Sequence, residues 1–201
     1  MNKEASLHEL HANIGRCLSE WSRVEFAVHL LFLTLNDRRI RANDPLLASF
    51  EANKSFSAKR ATLHTLVMSD DRTEGLFRDQ FVALDRKLRE EHGRRHEVAH
   101  FRLMIHHDHK HPHGEAMLHP FGTFTGGFFD RDKRPLTVKQ VGERADNFAA
   151  LADRTFRFVT YVMNVRSLLD AHDKPTPNPE RLLDHPFIGT APPVVAFGHI
   201  I

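Results

Sequence analysis

One cysteine, Cys17, stands among 201 residues. A single thiol excludes an intrachain disulfide and any cysteine-rich zinc site. No apolar run approaches the roughly 20 residues that a membrane-spanning helix needs, so no membrane partner is expected. The opening residues, MNKEASLHEL, lack the charged-then-apolar pattern of a secretory signal, and a cytoplasmic location is expected. Charge of one sign is also lacking: 28 Lys and Arg face 26 Asp and Glu, a formal net charge of +2. A protein that coats DNA carries a larger positive excess, whereas a compact RNA site built from a few Arg and His residues is compatible with this balance. No internal repeat is present. Histidine is plentiful: there are 16, eight of them between His96 and His119. With 41% hydrophobic residues, the chain fits one domain with a sizeable core and a tail.

Apolar residues at steps of three and four mark the helices. Leu7, Leu10, Ile14, Cys17, Trp21, Val24, Val28, Leu31 and Leu35 form one stripe and predict a long helix over about Lys3 to Leu35. Arg38, Arg39 and Arg41 cluster at the break that follows, as a solvated helix end complementing the dipole or as a polyanion contact. A short helix is expected over Pro45 to Ala52 and another over about Ser57 to Met68, with Leu63 and Val67 inward. The next long helix runs from about Thr73 to Ala99 on Phe77, Phe81, Leu84 and Leu88. Gly93 weakens it locally by about 1 kcal/mol.

Phe101, Leu103 and Ile105 alternate with Arg102 and Met104, the period of a strand. The His-rich stretch to Gly114 reads as a turn, Ala116 to Phe121 as the returning strand, and Gly122 to Pro135 as a loop. Thr137 and Gln140 have capping-box spacing, with Leu136 and Val141 placed for a hydrophobic staple, so a last helix starts there and reaches about Ala171. The expected fold is all-α: an antiparallel helical bundle with a β-hairpin, about residues 101–121, inserted before the last long helix. Residues 1–172 make that domain. Residues 173–201 hold six of the ten prolines and an apolar end, and read as a tail packed on the body or on a partner.

Ionisable residues interrupt the stripes. A heptad after Leu88 stands Arg95, and His92 and Ala99 lie within about 40° of the same line at 100° per residue. His96 and His100 are four apart and stack on one flank of Arg95. Glu25, one turn after Trp21, and Lys59, four before Leu63, also lie near inward lines. Such groups must pair or stay wet. Two readings stand: a structural ion-pair network of Glu25 with Lys59 or Arg95, or a polar cleft in the bundle or at a dimer interface.

The segment Arg95-His96-Glu97-Val98-Ala99-His100 resembles the signature of the HEPN (higher eukaryotes and prokaryotes nucleotide-binding) superfamily: Arg, then a polar residue that is often Asn, Asp or His, a short gap, and His. Many members read Arg-Asn-x-x-Ala-His, and His96 stands here in place of that Asn. Trp21-x-x-x-Glu25 on the first helix is similar to uncharacterised bacterial relatives. A second Arg-x4-His, Arg102 to His107, falls in the expected hairpin; the first has the matching context, a long bundle helix followed by a hairpin and a final helix. The resemblance covers residues 5–172 in layout. It implies a small helical domain that dimerises. In active members the Arg and His of two protomers face one cleft and cut RNA without metal, often in toxin–antitoxin, stress or antiphage systems. Other members only bind nucleotides or scaffold a complex.

The implied chemistry is self-cleavage of RNA. It needs a base of near-neutral pKa for the 2′-OH, which His supplies, and a cation for the phosphorane, which the Arg fork supplies. His100 is the expected general base or acid, Arg95 the phosphate clamp, and His96 orients RNA or pairs with His100, giving 2′,3′-cyclic phosphate and 5′-OH ends. His92 and Arg94 flank the site as solvated residues or as phosphate contacts. Glu25 and Lys59 are supporting candidates. Two rival readings remain: a non-catalytic module that binds RNA, nucleotide or a cognate protein, and a metal-binding protein in which His107, His109, His111 and His113, with His106 and Asp108, hold Zn²⁺, Ni²⁺ or Cu²⁺.

Overall fold

The long apolar stripe at the start of the chain becomes α1, Lys3–Leu35. Leu10, Cys17, Trp21, Val24, Val28, Leu31 and Leu35 are buried, with Leu7 and Ile14 packed at the edge of the same core. The computed structural model describes residues 3–36, 44–69, 76–106, 114–120 and 134–172. The remaining elements are α2 (Pro45–Ala52), α3 (Phe56–Ser69), α4 (Leu76–His100), β1 (Arg102–His106), β2 (Glu115–His119), β3 (Leu136–Thr137) and α5 (Val138–His172). Each predicted helix is present, with ends within a few residues of the expectation. The expected turn over the His-rich tract, most of the 122–135 loop and the Pro-rich tail lie outside the described residues. No helix among the described residues is long and apolar enough to cross a membrane.

Helix starts are chemically specified. Asp44 accepts from the backbone N–H groups of Leu46 (2.8 Å) and Leu47 (3.4 Å) ahead of α2, and Pro45 needs no acceptor there. Ser55 accepts from Ala58 N–H at 3.4 Å ahead of α3. The capping box of α5 forms reciprocally: Thr137 N–H donates to Gln140 Oε1 (2.9 Å) and Gln140 N–H to Thr137 Oγ1 (3.3 Å). Its flanking Leu136 and Val141 are both buried, as a staple requires.

α1 and α5 make the main interface. Asn13 Nδ2 donates to the Val138 carbonyl (3.3 Å) and Cys17 Sγ to that of Val141 (3.3 Å). Ion pairs Arg16–Asp146 (2.5 Å) and Arg23–Asp153 (2.7 Å) edge the contact. Residue numbers rise together along both helices, so α1 and α5 run parallel. Gly142 permits their close approach, since a Cβ there would lie 3.3 Å from Asn13 Nδ2. α4 runs against both its chain neighbours. Arg60 of α3 pairs with Asp85 through both carboxylate oxygens (2.6 and 2.5 Å), and the Phe56 ring meets that of His92. On the α5 side, Phe81 meets Phe158 (6.1 Å) and Glu97 meets Arg144 (2.5 Å). Direction thus reverses from α3 to α4 and from α4 to α5, while the first and last helices share a direction.

The expected hairpin is the larger part of a three-stranded antiparallel sheet of order β1-β2-β3. Arg102 opposes His119, Met104 opposes Met117, and Leu118 opposes Leu136. The third strand is only the two residues that also cap α5, too short to show a period of two in the sequence. Ala116 N–H donates to buried Ser6 Oγ at 3.3 Å, which ties the sheet to the start of α1 and holds β1 directly beyond the end of α4.

Candidate functional site

The last turns of α4 carry the candidate residues, and the helix seam decides which of them face inward. Phe77, Phe81, Leu84, Leu88, Glu91, Arg95 and Val98 follow an unbroken four-three spacing. Phe81, Leu84, Leu88 and Val98 are buried, and so is Glu91, at 0% exposure. Arg95 is half-buried on the same line. The seam therefore changes from apolar to ionic at Glu91, one turn earlier than Arg95.

A buried carboxylate needs partners. Glu91 Oε1 lies 3.1 Å from Lys87 Nζ and accepts from Arg94 Nη1 at 2.8 Å. Its other oxygen, Oε2, is buried with no hydrogen-bond partner among the described residues, and the same is true of Arg95 Nε. Arg94, although exposed, is thus committed to Glu91. Its carbonyl accepts from Arg144 Nη1 (2.9 Å), and Arg144 also pairs with Glu97. These ties lock the end of α4 onto α5 and restrict how the residues between them can move.

His92 is not a solvated helix residue. Its ring stacks on Phe56 at 5.1 Å and 29° and lies 5.9 Å from the Trp21 ring. Burial depresses its pKa first; the positive charges of Arg95, His96 and Arg60 add to the depression, and the Glu25 carboxylate opposes it. Desolvation and like charge both penalise its protonated form, so the neutral imidazole is favoured. Trp21 is the centre of this cluster. It meets Phe56 edge-on at 4.8 Å and Phe148 at 5.4 Å, and its Nε1–H donates to Glu25 Oε1 at 2.8 Å.

The expected ion pairs of Glu25 with Lys59 or Arg95 are not among the contacts of the described residues. Glu25 is exposed and held by the indole, while Lys59 Nζ sits 5.5 Å from the Phe50 ring centroid. The α3–α4 ion pair is Arg60–Asp85 instead. Arg95 accordingly keeps a guanidinium that no carboxylate of the described residues neutralises.

His96 and His100 are exposed. Their rings stand 4.1 Å apart at 47°, as residues one helical turn apart allow. The structure brings Arg95, His96, His100 and His92 to one end of α4, with Glu25 and Lys59 on the helices that flank it. His107, His109, His111 and His113 lie outside the described residues. Among the described residues no group of three or more potential ligands is placed to hold a metal ion. Chemically, the end of α4 offers two exposed imidazoles beside an arginine.

Glu91, Arg144 and the Arg60–Asp85 pair were not singled out by sequence. Glu91 had a signal, the four-three spacing after Leu88. Arg144 had none, since its partners are Glu97 and a backbone carbonyl 50 residues away. Compared with protein-family models, curated proteins and solved structures, the chain matches none.

Proposed function

We propose that this protein is an endoribonuclease that works without metal, a HEPN-like member whose site is the Arg95–His96–xxx–His100 end of α4. The observation that carries the reading is an arginine that no carboxylate of the described residues neutralises, beside an exposed histidine pair, on a helix end tied to α5. An arginine already closed in an ion pair would favour a purely structural role. Arg95 instead keeps its charge available for a phosphate, whose oxygens its fork matches.

In this mechanism His100 takes the proton of the 2′-OH as that oxygen attacks the adjacent phosphorus. Arg95 stabilises the charge that builds on the phosphorane oxygens. The 5′-oxygen leaves with a proton, and the products are a 2′,3′-cyclic phosphate and a 5′-OH. His96, 4.1 Å from His100 ring to ring, orients the RNA or the partner imidazole. His92 supports the site from behind as a neutral ring. A symmetric homodimer supplies a second His100 and a second Arg95, so acid and base need not be one group. RNA, a second copy of this chain and an intracellular setting belong to the reading together.

The test compares wild type, His100→Ala and Arg95→Lys on mixed cellular RNA in excess EDTA. General acid–base catalysis contributes about 10²- to 10⁴-fold, so His100→Ala loses cleavage by that order. Arg95→Lys keeps charge but loses the bidentate fork, and falls between. Cleavage by His100→Ala at the wild-type rate sinks the assignment. Cleavage that appears only with added Zn²⁺ or Mn²⁺ and ignores His100 points to the His-rich tract instead. A protein that binds RNA and never cuts it leaves the binding-module reading.

A further inference from the structure

The same histidine pair has a second chemistry that does not depend on RNA. We propose that His96 and His100 form a two-imidazole chelate for a divalent transition metal such as Zn²⁺, Ni²⁺ or Cu²⁺, and that occupancy of this chelate switches the site off.

The argument begins with helix geometry. Two residues four apart project from successive turns on one face, about 6 Å along the axis at 1.5 Å per residue. In α4 both imidazoles are exposed and their centroids are 4.1 Å apart. Metal–nitrogen bonds of about 2.0–2.1 Å join two rings at such a separation with small side-chain rotations. The backbone that carries the two ligands is fixed by the Arg144–Glu97 pair and the Arg144 hydrogen bond to the Arg94 carbonyl. Chelation then costs little ordering entropy, the usual advantage of a preformed site.

Imidazole suits Zn²⁺, Cu²⁺ and Ni²⁺ and discriminates against Mg²⁺ and Ca²⁺, which prefer oxygen. His92, four residues before His96, continues the row but is stacked on Phe56, so it does not serve as a third ligand. No third ligand is placed among the described residues, and water completes the shell. Such a site is exchangeable, as a switch requires, unlike a closed structural site.

The consequence follows from the lone pairs. A metal-bound imidazole nitrogen has no lone pair to accept a proton, so a loaded pair cannot act as general base. Binding rests on the geometry alone, whereas inhibition rests on the ribonuclease reading.

The experiment titrates Zn²⁺ into the ¹⁵N-labelled full-length chain at pH 7.5 and follows histidine side-chain resonances. Three proteins are compared: wild type, His100→Ala, and a variant with His107, His109, His111 and His113 all changed to Ala. The chelate predicts that the His96 and His100 signals move together in wild type and in the tract variant. It predicts that the His96 shift is lost in His100→Ala at the same metal concentration. His96 and His100 signals that stay still, or a His96 shift that survives His100→Ala, overturn the site. RNA cleavage is assayed in parallel. Zn²⁺ that moves the pair, stops cleavage and is reversed by EDTA supports the switch. Cleavage that continues with the pair loaded overturns it. Paired shifts in a protein that never cuts RNA leave the chelate standing and remove the ribonuclease reading.

Discussion

Replacing Trp21 tests the packing that holds the site together. The side chain is 2% exposed, and a buried aromatic of this size removes roughly 150–250 Å² from water. At about 25 cal/mol per Å² this is roughly 4–6 kcal/mol of burial. Trp21→Ala leaves a cavity bounded by Phe56, Phe148 and His92, and such truncations cost about 3–5 kcal/mol. Because a domain of this size loses about 2–4 °C of Tm per kcal/mol, Tm falls by about 6–20 °C. Trp21→Phe keeps a ring against Phe56 and Phe148 but loses the indole N–H bond to Glu25. The carboxylate left behind is exposed and takes water, so that bond contributes only about 0.5–1.5 kcal/mol. The assay is urea unfolding followed by circular dichroism, since Trp21 is the sole tryptophan and its fluorescence goes with it. A double-mutant cycle with Phe56→Leu then reads the ring pair, expected at about 0.5–1.5 kcal/mol. A Trp21→Ala cost below about 1 kcal/mol, or a Glu25→Gln cost as large as that of Trp21→Ala, refutes the packing argument.

Two further outcomes concern α4. His92 has a folded-state pKa below its ordinary value of 6.5, so the unfolded chain binds its proton first and stability falls as pH drops below about 6.5. Urea midpoints between pH 7.5 and 5.5 therefore decline less in His92→Phe than in wild type, and an equal decline contradicts the buried, neutral ring. A Cβ on Gly93 would meet nothing within 4 Å, so Gly93→Ala stabilises α4 by about 0.5–1 kcal/mol. A fall in Tm on that substitution contradicts the described helix.

Much of the fold was legible because it is written in local periods. The α1 stripe, the alternation from Arg102 to Ile105 and the Thr137–Gln140 capping box each need only a few neighbouring residues to be read, and each formed as expected. The direction of α5 along α1 was not legible, because it depends on where the sheet delivers the chain. At the candidate site, sequence placed Arg95, His96 and His100 at the end of a long helix, where they lie, but misjudged their surroundings. His92 reads as solvated until Phe56 and Trp21 are brought against it from two other helices. Glu25 lies near an apolar line, yet it is exposed and held by the indole. Glu91 was hidden by its charge. Its spacing assigns it to the core, and Lys87 and Arg94, on the same helix, are the partners among the described residues that make that burial tolerable. Pairings that cross the bundle, Arg144 with Glu97 and Arg60 with Asp85, carry no local pattern.

The central claim is that the Arg95–His100 end of α4 cuts RNA through its own 2′-OH. The most direct test offers the wild-type protein, in excess EDTA, an RNA containing one mapped cleavage site and the same strand with a single 2′-deoxy nucleotide at that site. The account predicts cleavage of the first strand to a 2′,3′-cyclic phosphate and a 5′-OH, and none of the second. Cutting of the deoxy-substituted strand, or 3′-OH and 5′-phosphate ends, contradicts it.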